Sequence, residues 1–231
     1  MNSKFFFRLL KKIWKIFLIL FAAQLVYILL LKWIDPPITV TQFSSWIKGD
    51  GLKRDYVDID EMPPNIRLAV IASEDQLFPD HNGFDIQSIK EALINKNKKW
   101  KRVRGASTIS QQVAKNVFLW QGRSWIRKGL EAYTTFMIEL IWGKKRILEM
   151  YLNVSEMGKG VFGIEAASRY YFKKPARKLT RMEAALITAG LPNPKKYRVN
   201  PPSNYVAQRG EQIVVQMNNL EPDEDIQELL K

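Results

Sequence analysis

PPNIRLAVIASEDQLFPDHNG, residues 63–83, is the stretch that decides the fold class. Between Asn65 and Ser73 apolar residues recur at helical spacing. The helix this predicts runs directly into two carboxylates, Glu74 and Asp75, and then into a loop of turn residues: Pro79, Asp80, Asn82 and Gly83. Carboxylates at the end of an apolar helix, facing such a loop, are candidates for the edge of a cleft.

Outward from this stretch the helical signals continue. Asp85 can cap a helix over residues 86–95. Thr108 and Gln111 have capping-box spacing ahead of Val113 and Val117, and Thr180 with Glu183 repeats it before an Ala-Leu-Ile run that Gly190 and Pro192 bring to a stop. Ser124 can cap a long helix reaching Trp142, and residues 144–152 and 163–172 read as two more. Few stretches alternate as strands do, so the chain is expected to be mainly α, without repeats or low-complexity tracts.

Toward the N-terminus, IFLILFAAQLVYILLL (residues 16–31) holds sixteen residues without a charge, and Trp33 and Ile34 extend it past Lys32. About 20 apolar residues span a bilayer. Lys4, Arg8, Lys11, Lys12 and Lys15 precede the stretch with no acidic residue, which holds the N-terminus in the cytoplasm and sends the rest across. A cleaved signal peptide would end sooner than this apolar run does. The expected organisation is therefore a basic cytoplasmic segment (residues 1–15), a transmembrane anchor (16–34), a connector (35–62) opened by Pro36 and Pro37, a catalytic domain (63–220), and an acidic, solvated tail (221–231).

The 231 residues leave room for one membrane segment and one domain. A hydrophobic share of 46% is enough for a core, so the net charge of +13 points to an anionic partner rather than to disorder. Nucleic acid, acidic lipid and phosphorylated substrates all satisfy that charge. The absence of cysteine excludes thiolate chemistry, and the single histidine, His81, excludes a multi-histidine metal site.

Three segments carry candidate chemistry. EDQLFPDHNG (residues 74–83) offers Glu74, Asp75, Phe78 and His81, although taken alone Glu74 reads more readily as a helix-end surface carboxylate and His81 as a structural hydrogen-bonding residue. GASTISQQ (residues 105–112) gathers Ser107, Thr108, Gln111 and Gln112 where a basic loop meets a helix, with Lys115 one turn on. Helix capping explains Thr108 and Gln111; free backbone amides there would instead hold an oxyanion or phosphate. RSWIRKGLE (residues 123–131) supplies Arg123, Arg127 and Lys128 with Glu131, where Arg127 and Glu131 share a helical face and a surface ion pair is the plainer reading.

Taken in order, E-D-x-x-F-x-x-H-x-G, G-x-S-T-I-x-Q-Q and R-K-x-x-E resemble the peptidoglycan glycosyltransferases of glycosyltransferase family 51. KRILEMYLN (residues 145–153) is similar to the family's K-x-x-I-L-E-x-Y-L-N segment, with Lys144 the better match to its first cation, and AASRYYF (residues 166–172) is similar to its A-A-x-x-Y-F element. The resemblance spans residues 65–200. Since the chain ends soon afterwards, it implies the monofunctional biosynthetic type, without a penicillin-binding transpeptidase domain.

The resemblance implies a lysozyme-like, mostly helical domain that polymerises lipid II, an undecaprenyl-pyrophosphate-linked disaccharide pentapeptide, at the bacterial inner membrane with the catalytic domain in the periplasm. Glu74 would deprotonate the acceptor 4-hydroxyl, which attacks the anomeric carbon of the lipid-linked growing chain. Lys115, Arg123, Arg127 and Lys128 would stabilise the departing diphosphate, helped by Ser107, Thr108, Gln111 and Gln112. Glu131, matching a second essential glutamate, would organise those cations or a divalent Mg2+ or Mn2+ ion; Glu149 and Asn153 would hold the cleft together. No organic cofactor is expected. Cell-division or cell-wall synthesis proteins are candidate partners.

Two rivals stand against this reading. A lytic transglycosylase cleaves glycan with a catalytic Glu but does not call for the cations beside Glu131. A non-enzymatic membrane adaptor would use the basic surface alone. Nucleic acid is the weakest candidate, because an outward-facing domain does not meet it.

Overall fold

The computed structural model describes residues 3–95, 107–122 and 124–231. Chain contacts divide into two units, residues 1–35 and 36–231.

The first unit is one helix, α1 (Ser3–Leu30), in which residues Phe7–Leu30 have the length and apolar composition to cross a membrane. The helix extends further back into the basic segment than the expected 16–34 span and stops at Leu30; residues 31–33 form a turn.

The second unit is mainly helical, as expected. Its centre is α3 (Pro64–Glu74), in which every residue from Ile66 to Ala72 is buried, so this helix is enclosed all round rather than lying half-exposed. Ahead of it in the chain come α2 (Val40–Ile47), the short strand β1 (Lys53–Arg54) and a 3-10 turn, Ile59–Glu61. After it follow α4 (Ile86–Asn95), α5 (Ile109–Phe118), α6 (Trp125–Ile141) and α7 (Lys144–Val154). Strands β2 (Glu156–Gly158) and β3 (Val161–Phe162) complete a small sheet in the order β1-β3-β2, parallel between β1 and β3 and antiparallel between β2 and β3. Helices α8 (Ile164–Phe172), α9 (Arg181–Gly190), α10 (Asn204–Leu220) and α11 (Glu224–Leu230) finish the chain.

Local chemistry accounts for most helix starts. Thr108 and Thr180 each form the reciprocal capping box with Gln111 and Glu183, and the Ser124 hydroxyl accepts from the Arg127 amide. The Ser88 amide donates to Asp85 at 2.8 Å, which caps α4. Packing then selects the arrangement: α3 lies against α9, α10 and α11, while α5 is clasped between α6 and α7.

Two segments depart from the sequence expectation. Residues 36–62, read as a connector, are built into the domain: Thr39 and Gln42 close a third capping box at the start of α2, β1 pairs with β3, and the Asn153 amide donates to the Val57 carbonyl at 2.9 Å while accepting from the Val57 amide at 3.1 Å. The acidic tail, read as solvated, docks. Asp223 caps α11 by accepting from the Asp225 and Ile226 amides, the acidic residues Glu224 and Asp225 complement the helix dipole in its first turn, and Ile226, Leu229 and Leu230 are buried. Arg67, buried within α3, donates to the Leu229 carbonyl at 3.1 Å.

Candidate active site

Glu74 is the last residue of α3 and is half-buried. Gln112 Nε2 donates to Glu74 Oε2 at 2.9 Å, and Ser73 Oγ donates to Oε1 at 3.4 Å. Burial pushes the Glu74 carboxyl above the ordinary glutamate range, opposed first by the Gln112 hydrogen bond and then by the charge of Arg209 on α10. A carboxylate raised in this way is a stronger proton acceptor than an ordinary glutamate, while the Gln112 donor favours the ionised form that takes the proton.

Asp75 does not face outward beside it. Its carboxylate lies 2.9 Å from His81 Nε2 and accepts the Ile109 amide at 2.9 Å. The Gly83 amide donates to His81 Nδ1 at 3.2 Å, which leaves Nε2 as the donor to Asp75. Asp75 therefore ties the loop to the first residue of α5. Phe78, expected to touch substrate, has 0% of its surface exposed and is a core residue set edge-on to His81. Gly83 adopts φ +84° and approaches α6 so closely that an added Cβ would lie 2.7 Å from Thr135 Cγ2, which explains a glycine there.

The start of α5 is also committed internally. Thr108 and Gln111 are buried in their capping box, and Thr108 Oγ1 donates to the Gly83 carbonyl at 2.7 Å. The amides of Ile109 and Gln111 are taken by Asp75 and Thr108, so the expectation of free amides for an oxyanion does not hold at these two positions. Ser107 is exposed. Arg123 lies outside the described residues.

One turn further along α5, Lys115 lies within electrostatic reach of both glutamates, Glu74 and Glu131, and of Arg127 and Lys128. Desolvation lowers its ammonium below the ordinary lysine range, partly countered by Glu131. Glu131 is 3% exposed; one oxygen accepts from Arg127 at 2.5 Å and the other from Lys128. The anticipated Arg127–Glu131 pair is thus a buried one that gathers cations toward Lys115.

Gln112 and Lys115 line a cavity of about 380 Å³ shared with Thr41 of α2, Gln121, Tyr151, Ser155, Glu156 and Lys195. Tyr151 is fully enclosed, and burial holds its phenol well above the usual range, so it remains a hydroxyl donor; it reaches Gln112 Oε1 at 3.5 Å. Sequence reasoning missed Thr41, Gln121, Lys195 and Arg209. The Thr39-x-x-Gln42 spacing could have placed Thr41 on a helix, but nothing local marks Arg209.

The resemblance leaves two roles open for Glu131, organising the cations or holding a divalent ion. The donor set does not fit one, because both Glu131 oxygens already serve cations, and no group of three His, Asp or Glu side chains forms a metal site among the described residues.

The cavity is thus lined by Gln112, which donates to the raised Glu74 carboxylate, and by Lys115, which feels the charges of Glu131, Arg127 and Lys128. The Transglycosylase sequence model matches residues 41–218, and the chain belongs to that family. It is 49% identical over 213 residues to the biosynthetic peptidoglycan transglycosylase of Pectobacterium carotovorum subsp. carotovorum (strain PC1), covering 89% of this chain and 87% of the relative. It is 51% identical over 206 residues to the protein of that name from Yersinia pseudotuberculosis serotype O:3 (strain YPIII), covering 86% of each.

Proposed function

We propose that Glu74 is the general base of a glycan-polymerising reaction on lipid II, with Lys115, Arg127 and Lys128 receiving the diphosphate that leaves. The chain is a peptidoglycan transglycosylase, an enzyme of cell-wall synthesis. The observation that carries the reading is the shared lining of Gln112, bonded to Glu74 at 2.9 Å, and Lys115, whose ammonium feels the charges of both Glu74 and Glu131.

In the reaction, Glu74 takes the proton of the acceptor sugar's 4-hydroxyl. The freed oxygen forms a bond to the anomeric carbon of the lipid-linked chain while the bond from that carbon to the diphosphate oxygen breaks, inverting α to β. Gln112 orients Glu74. Negative charge developing on the diphosphate meets Lys115 and the Glu131-anchored cations, and this kind of preorganised stabilisation is worth about 10²–10³ in rate per donor. A divalent ion, on this donor set, belongs to the substrate's diphosphate rather than to the protein.

The apolar helix α1 is a candidate membrane anchor suited to a lipid-linked substrate. The basic residues Arg8, Lys11, Lys12 and Lys15 argue for a cytoplasmic N-terminus and an outward-facing domain at the bacterial inner membrane.

Offering the detergent-solubilised protein either lipid II or purified glycan strands tests the reading against the lytic alternative. Consumption of lipid II into a muramidase-sensitive polymer is expected. Cleavage of preformed glycan without lipid II turnover would overturn it.

A further inference from the structure

Glu139 takes no part in this chemistry, yet together with Lys144 it joins four segments of the chain. Its Oε1 accepts from Ser110 Oγ in the first turn of α5 and from Lys144 Nζ, at 2.8 Å, at the start of α7. Lys144 Nζ donates in turn to the His81 carbonyl at 2.5 Å and stands 4.6 Å from the centre of the Phe78 ring. The two side chains are 7% and 19% exposed.

The loop after Glu74 is consequently gripped from two sides. Asp75 fastens it to the Ile109 amide, and Lys144 holds the His81 carbonyl. The third fixed point is Gly83, whose close approach to Thr135 on α6 leaves no room for slack. Glu139 and Glu131 lie on that same helix, about two turns apart. A buried ion pair gives little net stability, because desolvation offsets the attraction. What this pair does supply is a fixed register between the loop that begins at Glu74 and the helix that carries Glu131.

We infer that Glu139 and Lys144 are a positioning pair that sets the spacing between Glu74 and the cations around Glu131. This inference rests on the reading of Glu74 as the base. A displacement of about 1 Å at a reacting centre costs on the order of 10² in rate. Glu74 drawn away from Gln112 also loses the hydrogen bond that holds its pKa down.

The test compares Lys144→Met, Glu139→Gln and the double variant Glu139→Leu/Lys144→Met with wild type, using lipid II turnover well below the lowest melting temperature. Expected are a kcat lowered by about 10–100-fold, an unchanged KM, and an acid limb of the pH profile moved to higher pH. Variants that melt earlier but keep the wild-type kcat and pH profile would overturn the inference and leave the function standing. Wild-type protein that does not consume lipid II would overturn the reading of Glu74, and this inference with it. Should the single variants fail to fold, the double variant, which leaves neither charge unpaired, decides.

Discussion

Gln112 on α5 donates to Glu74 at the end of α3 across 2.9 Å, so the base and its orienting amide come from two helices 38 residues apart in sequence. The bond favours the ionised carboxylate, against the burial that favours the acid. Gln112→Leu should therefore move the acid limb of the pH–rate profile upward and slow the reaction on the acid side of neutrality by about tenfold. A pH profile of lipid II turnover checks this; an unmoved limb would remove Gln112 from the account.

Raising the Glu74 pKa also has a consequence for stability. A carboxyl whose folded pKa lies above its unfolded value of about 4.5 binds its proton more tightly in the fold. That contribution is fully present below the unfolded pKa and is lost as pH rises through the folded pKa. Glu74→Gln, which never ionises, should match wild type in acid and melt a few degrees higher at neutral pH. Thermal melts of both proteins across pH 4–8 would reveal a gap that opens with pH, and a gap constant with pH would contradict the shift.

Around Glu131 the sign is opposite. Its carboxylate props up the Lys115 ammonium, which burial pushes down. Glu131→Gln should lower kcat by about 10²–10³ and draw the alkaline limb to lower pH, as Lys115 loses its proton sooner. Loss of activity without movement of that limb would show that Glu131 acts only through Arg127 and Lys128.

Deleting residues 223–231 removes the buried Ile226, Leu229 and Leu230 and strips Arg67 of its Leu229 acceptor. The expected loss is roughly 3 kcal/mol in urea denaturation. Replacing Glu224 and Asp225 by Gln and Asn should cost under about 1 kcal/mol, since only the dipole term is lost. Equal losses from the two changes would mean that charge, not burial, seats the helix.

How much of this was legible in the sequence depends on how local the cause is. The caps at Asp85, Thr108, Ser124 and Thr180 were readable because each is closed within three residues. The same signal at Thr39 and Gln42 sits just after a double proline in a stretch of mixed composition, which reads as a connector. In the tail, a cluster of acids concealed the Ile226–Leu229–Leu230 spacing that buries one face. At the site, Glu74, Gln112, Lys115 and Glu131 could be named from motif order. Phe78 and Asp75 sit in the same motif, but they serve the core and the loop anchor; motif order cannot separate a residue that faces the cavity from one that supports it. Arg209 and Glu139 depend on helices meeting in space, and no spacing within one segment encodes that.

The most direct test of the central claim is the rate at which purified Glu74→Gln converts labelled lipid II to polymer, with substrate binding measured alongside. The account predicts that binding persists while the rate falls by at least about 10²–10⁴-fold, the range of general base assistance. A folded Glu74→Gln protein that polymerises lipid II at the wild-type rate would contradict it.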